Sequence, residues 1–120
     1  MGSHWETLAD RLIQMVTIER AARVCELCGA AASAGHHIIH RSAKAVRHVE
    51  DNVIAVCHAC HDLDNSGMLI GEIEARWPGR AERIRLMAYQ TDGAYDPQAA
   101  AQRLERRLNE IKRAGVIGWR

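Results

Sequence analysis

A chain of 120 residues with 16 Lys and Arg against 15 Asp and Glu has a formal net charge of +1. That balance argues against a protein that coats DNA through charge alone. Fourteen of the 16 basic residues are arginine, which suits a phosphate partner but also arises in arginine-rich genomes. No apolar stretch of about 20 residues and no signal peptide is visible, so we expect a cytoplasmic protein with no membrane partner. The length predicts one domain over 1–120.

The first predicted element is an amphipathic helix at about 5–22. Its apolar residues recur at helical spacing with charges between them, beginning with Trp5, Leu8 and Leu12. We predict that this helix packs on the core. Trp5, Trp77 and Trp119 are likewise interpreted as packing residues rather than as platforms for DNA bases.

The middle of the chain predicts two short strands joined by a basic loop. Residues 36–39 combine His with Ile, and Val53–Val56 is β-branched apart from one alanine, which favours strands. The polar stretch 41–51 between them predicts a loop. A helix can begin at Cys57 and continue to about Asn65, so strand, loop, strand and helix follow in order.

Helices are predicted for the remainder of the chain, at about 71–114. The last of them has Asp96 as its natural N-cap and Pro97 at the first helical position, and Gly115 is expected to end it. The arginines on these helices have acidic neighbours, so we expect them to be solvated or paired within their own helix. Two shorter helices are expected before the last one, at 71–77 and 80–90.

Four cysteines in two Cys-x-x-Cys pairs, with 28 residues between the pairs, are the strongest metal signal in the chain. Thiolates at i and i+3 suit a knuckle that presents two sulfurs to one tetrahedral zinc ion. Disulfides and a redox-active pair are the less favoured explanations. Four thiolates leave no position for water or substrate, so we predict a structural Zn²⁺ ion. Its ligands would be Cys25, Cys28, Cys57 and Cys60.

Three histidines and two asparagines near these pairs are candidates for chemistry. Side chains adjacent on a strand point to opposite faces, so His36 and His37 cannot both face one ligand in a regular strand. We expect one to bind a metal ion while the other faces the substrate. His61 can turn back from the following helix toward the strands, and Asn65 lies one turn later on the same face. Asn52 directly precedes the second strand.

These residues together resemble the HNH endonucleases, which have a ββα-metal fold. The family pattern appears as Cys-Glu-Leu-Cys at 25–28, His-His-Ile-Ile at 36–39, Asn52 before a short apolar strand, and Cys-His-Ala-Cys-His at 57–61. Order and spacing agree over about 25–66, roughly a third of the chain. The resemblance implies an α+β fold, with a ββα-metal core and a four-cysteine zinc knuckle pair between the N-terminal and C-terminal helices.

The resemblance also implies a function and a set of roles. The chain would be a metal-dependent DNA endonuclease that hydrolyses phosphodiester bonds, nicking or cutting DNA to leave 5′-phosphate and 3′-hydroxyl ends. The catalytic residues would be His37 as general base, Asn52 as the residue that holds the loop and orients His37, and His61. His36 and His61 would bind the catalytic divalent metal, with Asn65 as a weaker third ligand.

The ligand types predict which divalent metal works best. Imidazoles and no carboxylate occupy the proposed catalytic position, and nitrogen ligands favour transition metals over Mg²⁺. We therefore expect better activity with Mn²⁺, Ni²⁺, Co²⁺ or Zn²⁺ than with Mg²⁺.

Basic residues in the loop after the base are candidates for contacts with the DNA backbone. These are Arg41, Lys44 and Arg47, although a solvated basic loop explains any one of them almost as well. His48 and His58 are expected at the surface or in loops, with no role in the site.

The same residues fit two other functions less well. A non-catalytic zinc module that binds DNA or protein is the alternative, although it would have no use for the three catalytic side chains together. A toxin-type nuclease domain is disfavoured because such domains typically lack the four-cysteine site. The resemblance is to compact chains carried by phages and prophages, so phage packaging proteins are candidate partners. The sequence shows no clear dimer interface, and we expect a monomer.

Overall fold

The structure, a computed structural model, describes residues 4–90 and 95–118. Mixed helix and a small two-stranded sheet place the chain in the α+β class, as predicted. None of the helices in these ranges combines the length and the apolar character needed to cross a membrane. In chain order the elements are α1 (His4–Arg20), β1 (Ala34–His37), β2 (Val53–Val56), α2 (His58–Asp62), α3 (Met68–Arg76), α4 (Arg80–Gln90) and α5 (Pro97–Gly118).

Helix boundaries follow local backbone chemistry. Helix α1 ends two residues earlier than predicted because Ala22 and Arg23 have positive φ angles of 55° and 64°. The N-cap prediction for α5 is confirmed, since the Ala99 N–H donates to Asp96 Oδ1 at 3.0 Å. The predicted stop at Gly115 is wrong. One glycine costs a helix only about 1 kcal/mol, and α5 continues to its last described residue.

The strand and the helix of the motif also differ from their predicted limits. Strand β1 lies two residues earlier than predicted, because the Ile39 N–H bonds to the Asn52 side chain instead of a neighbouring strand. Helix α2 is a single turn, and a 3₁₀ turn at Leu63–Ser66 follows it. Gly67, with a φ of 77°, then allows α3 to begin at once, earlier than predicted.

Strand β2 is buried along its whole length and separates two apolar clusters. It pairs antiparallel with β1, so that His36 lies opposite Ile54 and His37 lies opposite Val53. Alternate residues of a strand face opposite sides, which puts the two histidines on opposite sides of the sheet. One cluster joins β2 to α1 and α5, and comprises Ala9, Leu12, Ile13, Val16, Val53, Ala100, Ala101, Leu104 and Leu108. The other surrounds the cysteines, and comprises Cys25, Ile54, Val56, Cys57, Leu69 and Ile73.

Helix α1 holds the outer edge of β1 through one glutamine. Gln14 accepts from the Gly35 N–H at 2.8 Å and donates to the Gly35 carbonyl at 3.2 Å, as a neighbouring strand would. A Cβ at Gly35 would stand 2.9 Å from Val53 Cγ1 and close to the Gln14 amide. The missing side chain therefore permits the approach that fixes the strand carrying His36 and His37.

Helix α4 is tied to the loop before β2 by two arginines. Arg80 is 7% exposed, stacks 4.6 Å above the Trp77 ring centre and donates to the Asp51 carbonyl at 2.9 Å. Arg83 is exposed and pairs with the Asp51 carboxylate at 2.6 Å. The expectation of a solvated or intrahelical arginine is wrong for Arg80, which is buried; Arg83 is exposed as expected, although its partner lies outside its own helix. The packing roles predicted for Trp5 and Trp77 are confirmed, and Trp119 lies outside the described residues.

Candidate functional site

The four predicted cysteines converge at one point. Their sulfur atoms all lie within 4.8 Å of one another, and Cys28 Sγ is 3.6 Å from Cys57 Sγ. Sulfurs on a tetrahedral zinc ion, with Zn–S bonds of about 2.3 Å, are roughly 3.8 Å apart. The cluster therefore has the dimensions of a zinc site. Among the described residues it is the only group of three or more His, Cys, Asp or Glu residues with ligand atoms this close.

Backbone geometry shapes each knuckle, and it lowers the pKa of one thiol, that of Cys25, while the pKa values of Cys28 and Cys60 are raised. The left-handed Gly29 closes the first turn, and its N–H bonds to the Cys25 carbonyl at 3.0 Å. The Cys57 sulfur caps α2 by accepting from the Cys60 N–H at 3.4 Å. Burial raises the pKa of the Cys25 thiol, but backbone hydrogen bonds from both knuckles outweigh it and lower that pKa from 9.0 to about 6. Zinc binds the thiolate, so this shift favours the metal near neutral pH.

His36 and His61 meet on the zinc side of the sheet. Their ring centroids are 5.4 Å apart and their planes are inclined by 66°. Two imidazoles bound to one tetrahedral ion, with Zn–N bonds of about 2.0–2.1 Å, have centroids roughly 5 Å apart. Burial lowers the pKa of His36, whereas the Asp64 carboxylate acts to raise it. The neutral imidazole that results is the form that binds a metal ion.

Asp64 is a residue of this region that the sequence reasoning missed. The helix predicted to carry both His61 and Asn65 stops at Asp62, and a 3₁₀ turn follows. The Asp64 carboxylate in this turn acts to raise the pKa of His36, so Asp64 lies near one of the candidate metal ligands. Asp64 is exposed, and the ligand atoms of Asp64, His36 and His61 do not all lie within 4.8 Å of one another. The available signal was an acidic residue three positions after a candidate ligand.

His37 lies on the opposite side of β1 and is held by the chain itself. Its Nε2 atom is 2.8 Å from the Arg47 carbonyl oxygen, which can only accept a hydrogen bond. Nε2 must therefore carry the proton in the neutral ring, and Nδ1 keeps a free lone pair. Burial lowers the pKa of His37 below 6.5, and the hydrogen bond to Arg47 partly opposes this. The ring is therefore neutral near neutral pH.

Asn52 closes the loop between the two strands. Its side chain is fully buried. Oδ1 accepts from the Ile39 N–H at 2.8 Å, and Nδ2 donates to the carbonyls of Ile39 and Val46 at 3.0 Å each. The Val46 carbonyl directly precedes the Arg47 carbonyl that holds His37. Asn52 thus fixes the peptide beside the one that orients the histidine.

The structure separates the three candidate DNA contacts in the loop. Arg41 and Lys44 are exposed, and Lys44 borders a cleft of about 770 Å³ between the loop and α4. Arg85 and Tyr89 line the other wall of this cleft. Arg47 is only 14% exposed, and its guanidinium makes two hydrogen bonds with Asp10, at 2.8 and 2.7 Å.

His48 lies in the loop, as expected, but its side chain is buried rather than at the surface. The side chain is 2% exposed, its Nε2 lies 2.7 Å from Asp10 Oδ1, and its ring stacks on Tyr95 with centroids 5.8 Å apart. No local pattern indicated this burial, because Asp10 precedes His48 by 38 residues. His58 is exposed on α2, as expected.

Comparison with known proteins adds a finding about the central third of the chain. Residues 25–67 match the family model described as HNH endonuclease. No curated protein and no solved structure matches the chain significantly. The matched segment contains both knuckles, both strands, α2 and the candidate site residues His36, His37 and His61, and leaves out α1, α3, α4 and α5. Its motif and its match together identify residues 25–67 as an HNH endonuclease domain.

Proposed function

We propose that this chain is a metal-dependent DNA endonuclease whose active site lies between β1, the loop at 38–52 and α2. The observation that carries the proposal is the orientation of two neighbouring histidines. The ring centroids of His36 and His61 are 5.4 Å apart on one side of the sheet. On the other side, His37 is held at 2.8 Å by a carbonyl that leaves its Nδ1 unprotonated. A module that only binds DNA needs neither arrangement.

The base in this proposal is Nδ1 of His37. It would take the proton from the attacking water, and its lowered pKa keeps it available for this at neutral pH. Asn52 supports it by fixing the loop through Ile39 and Val46. The predicted products, with 5′-phosphate and 3′-hydroxyl ends, follow from the family resemblance.

His36 and His61 would hold the catalytic divalent ion, and the Cys cluster would hold the structural Zn²⁺ ion. A divalent ion bound there would neutralise charge on the scissile phosphate and on the leaving 3′ oxygen. Two imidazoles favour Mn²⁺, Ni²⁺, Co²⁺ or Zn²⁺ over Mg²⁺. The Asp64 carboxylate, which acts on the pKa of His36, would supply an oxygen ligand and so reduce the preference for these transition metals over Mg²⁺. Asn65, the next residue, stays a candidate ligand.

The DNA backbone is proposed to cross the loop next to His37. Arg41 and Lys44 are exposed there, and Arg85 lines the adjoining cleft, where its guanidinium pairs with Glu82. Arg47 is the least suited of the three candidates named from the sequence, because two of its N–H groups already bond to Asp10.

Broader properties follow from the resemblance and from the packing. The core shared by α1, β2 and α5 supports a single domain over 1–120, with the flanking helices holding the motif. Action as a monomer, a cytoplasmic location, and a link to phages and their packaging proteins belong to the same proposal.

A supercoiled-plasmid assay tests the function. The protein would keep its structural zinc, be freed of other metals, and receive Mg²⁺, Mn²⁺, Ni²⁺, Co²⁺ or Zn²⁺ separately. We expect metal-dependent conversion to open circles, with His37→Ala slower by about 10²–10⁴-fold but still bound to DNA. His58→Ala is the matched control, because His58 is an exposed histidine one residue after the second knuckle begins.

The ligand assignment has its own measurement. Calorimetry with Mn²⁺ should show weaker binding to His36→Ala and His61→Ala, while the zinc content stays at one ion per chain. Absence of cleavage with every metal, together with intact DNA binding, would instead support the non-catalytic zinc module.

A further inference from the structure

Two carboxylates of α1 pair with the loop segment that orients His37: Glu6 lies 3.9 Å from the Arg47 guanidinium, and Asp10 is hydrogen-bonded to it. Asp10 accepts two hydrogen bonds from the Arg47 guanidinium, at 2.8 and 2.7 Å, and a third from His48 Nε2 at 2.7 Å. Both partners are shielded from water, since His48 is buried and the Arg47 side chain is 14% exposed. Charge-assisted pairs with two-point geometry are stronger and more directional than neutral hydrogen bonds.

Arg47, whose side chain is hydrogen-bonded to Asp10, also provides the backbone carbonyl that accepts from His37. The Arg47 carbonyl accepts from His37 Nε2 at 2.8 Å. The preceding carbonyl, of Val46, is fixed from the other side by Asn52 at 3.0 Å. Arg47 is therefore held through its side chain by α1 and through the neighbouring peptide by Asn52.

We propose that Asp10 is a positioning residue for His37 and acts through the Arg47–His48 segment. This inference rests on the proposed nuclease function. It goes beyond the HNH motif, because α1 lies outside the residues that match the family. Without the Asp10 carboxylate, the guanidinium would lose its two-point anchor and the Arg47 carbonyl could turn away from Nε2.

The expected effect is on the chemical step. The Asp10 carboxylate is engaged by Arg47 and His48 and repels the phosphates of DNA, so its loss should lower kcat with little change in KM for DNA. Residues that orient a catalytic group at one remove typically contribute on the order of 10–100-fold. We expect Asp10→Asn to reduce kcat by that factor.

The matched control is Glu19→Gln. Glu19 lies on the same helix and also makes two hydrogen bonds with an arginine, Arg23, at 2.8 and 2.9 Å. Arg23 is not part of the loop that holds His37. A loss of stability from weakening any α1 carboxylate would therefore appear in both variants, whereas the loss of kcat should appear only in Asp10→Asn.

A spectroscopic measurement tests the positioning without relying on cleavage. Long-range ¹H–¹⁵N spectra of the imidazole rings report which nitrogen of neutral His37 carries the proton, and His37→Ala assigns the signal. We expect the Nε2–H form in the unmodified protein and in Glu19→Gln, and a mixture of both tautomers in Asp10→Asn. Arg47→Lys keeps the carbonyl and the charge but loses the two-point contact, and it should give the same mixture if Asp10→Asn does not fold.

The two readouts separate the possible failures. A His37 tautomer and a kcat that both stay unchanged in a folded Asp10→Asn variant would overturn the role of Asp10. Unmodified protein that cleaves no DNA, but shows the tautomer change in Asp10→Asn, would overturn the nuclease function and leave the positioning intact.

Discussion

Removal of the Asn52 side chain should destabilise the protein severely. Asn52→Ala eliminates three hydrogen bonds, to the N–H and carbonyl of Ile39 and to the Val46 carbonyl. The Val46 carbonyl keeps its bond from the Val49 N–H at 3.2 Å, and the Ile39 groups are partly buried, so none of the three is left wholly without a substitute. Each lost hydrogen bond then costs about 0.5–1.5 kcal/mol. The sum is about 1.5–4.5 kcal/mol, a large share of the roughly 5–15 kcal/mol typical of a domain.

Urea unfolding at neutral pH with saturating zinc measures this cost. Asn109→Ala is the matched control, because Asn109 is exposed on α5 and its loss should change the unfolding free energy by less than about 0.5 kcal/mol. The reasoning would be refuted by an Asn52→Ala variant that unfolds as one transition with a loss below about 1 kcal/mol.

Asn52→Asp sharpens the test because it changes only the donor. The carboxylate keeps an acceptor for the Ile39 N–H but turns a charged oxygen toward the carbonyls of Ile39 and Val46. We expect a larger destabilisation at neutral pH than in acid, where a protonated carboxyl can donate to one of them. Equal destabilisation at both pH values would contradict the assigned direction of these hydrogen bonds.

Three further outcomes are expected. Cys57→Ser, or removal of zinc by a chelator, should abolish cooperative unfolding, as followed by circular dichroism and zinc analysis, because the cluster is part of the second core. Gly35→Ala should lower the unfolding free energy by about 1–3 kcal/mol in urea titrations, since its Cβ would stand 2.9 Å from Val53 Cγ1; an unchanged midpoint would contradict the close approach. The free energy of unfolding of the unmodified protein, relative to that of His48→Phe, should decrease as pH falls through 6.5. Burial lowers the pKa of His48 in the folded protein, so below pH 6.5 the unfolded chain binds a proton that the folded chain does not. A difference that is flat from neutral pH to mildly acidic pH would show that His48 is not buried in its neutral form.

The motif in this sequence was enough to predict the centre of the fold. Two Cys-x-x-Cys pairs predict a common metal site, and the alternation of side chains along a strand separates His36 from His37 whatever the rest of the chain does. Local backbone chemistry likewise located the start of α5 at Pro97. These features depend on short-range geometry, which a single sequence contains.

Other features depend on partners that lie far apart in the chain. Asp10 meets Arg47 across 37 positions, and Asp51 meets Arg80 across 29, so no local pattern marks either pair. The burial of His48 follows from the first of these contacts. The replacement of a helical turn by a 3₁₀ turn after α2 is a further case, and it brings Asp64 into consideration beside His36.

The sequence by itself determined which residue types could bind metal and act as a base, because ligand chemistry and strand periodicity are properties of the residues. Only the tertiary structure decided which nitrogen of His37 is free, because that depends on the Arg47 carbonyl ten residues away. It also decided that Arg47 is held within the protein, whereas Arg41 and Lys44 remain exposed. Arg47 differs from Arg41 and Lys44 because α1 packs against the loop and places Asp10 beside Arg47. The pattern of charges along the sequence does not show which basic residue has such a partner.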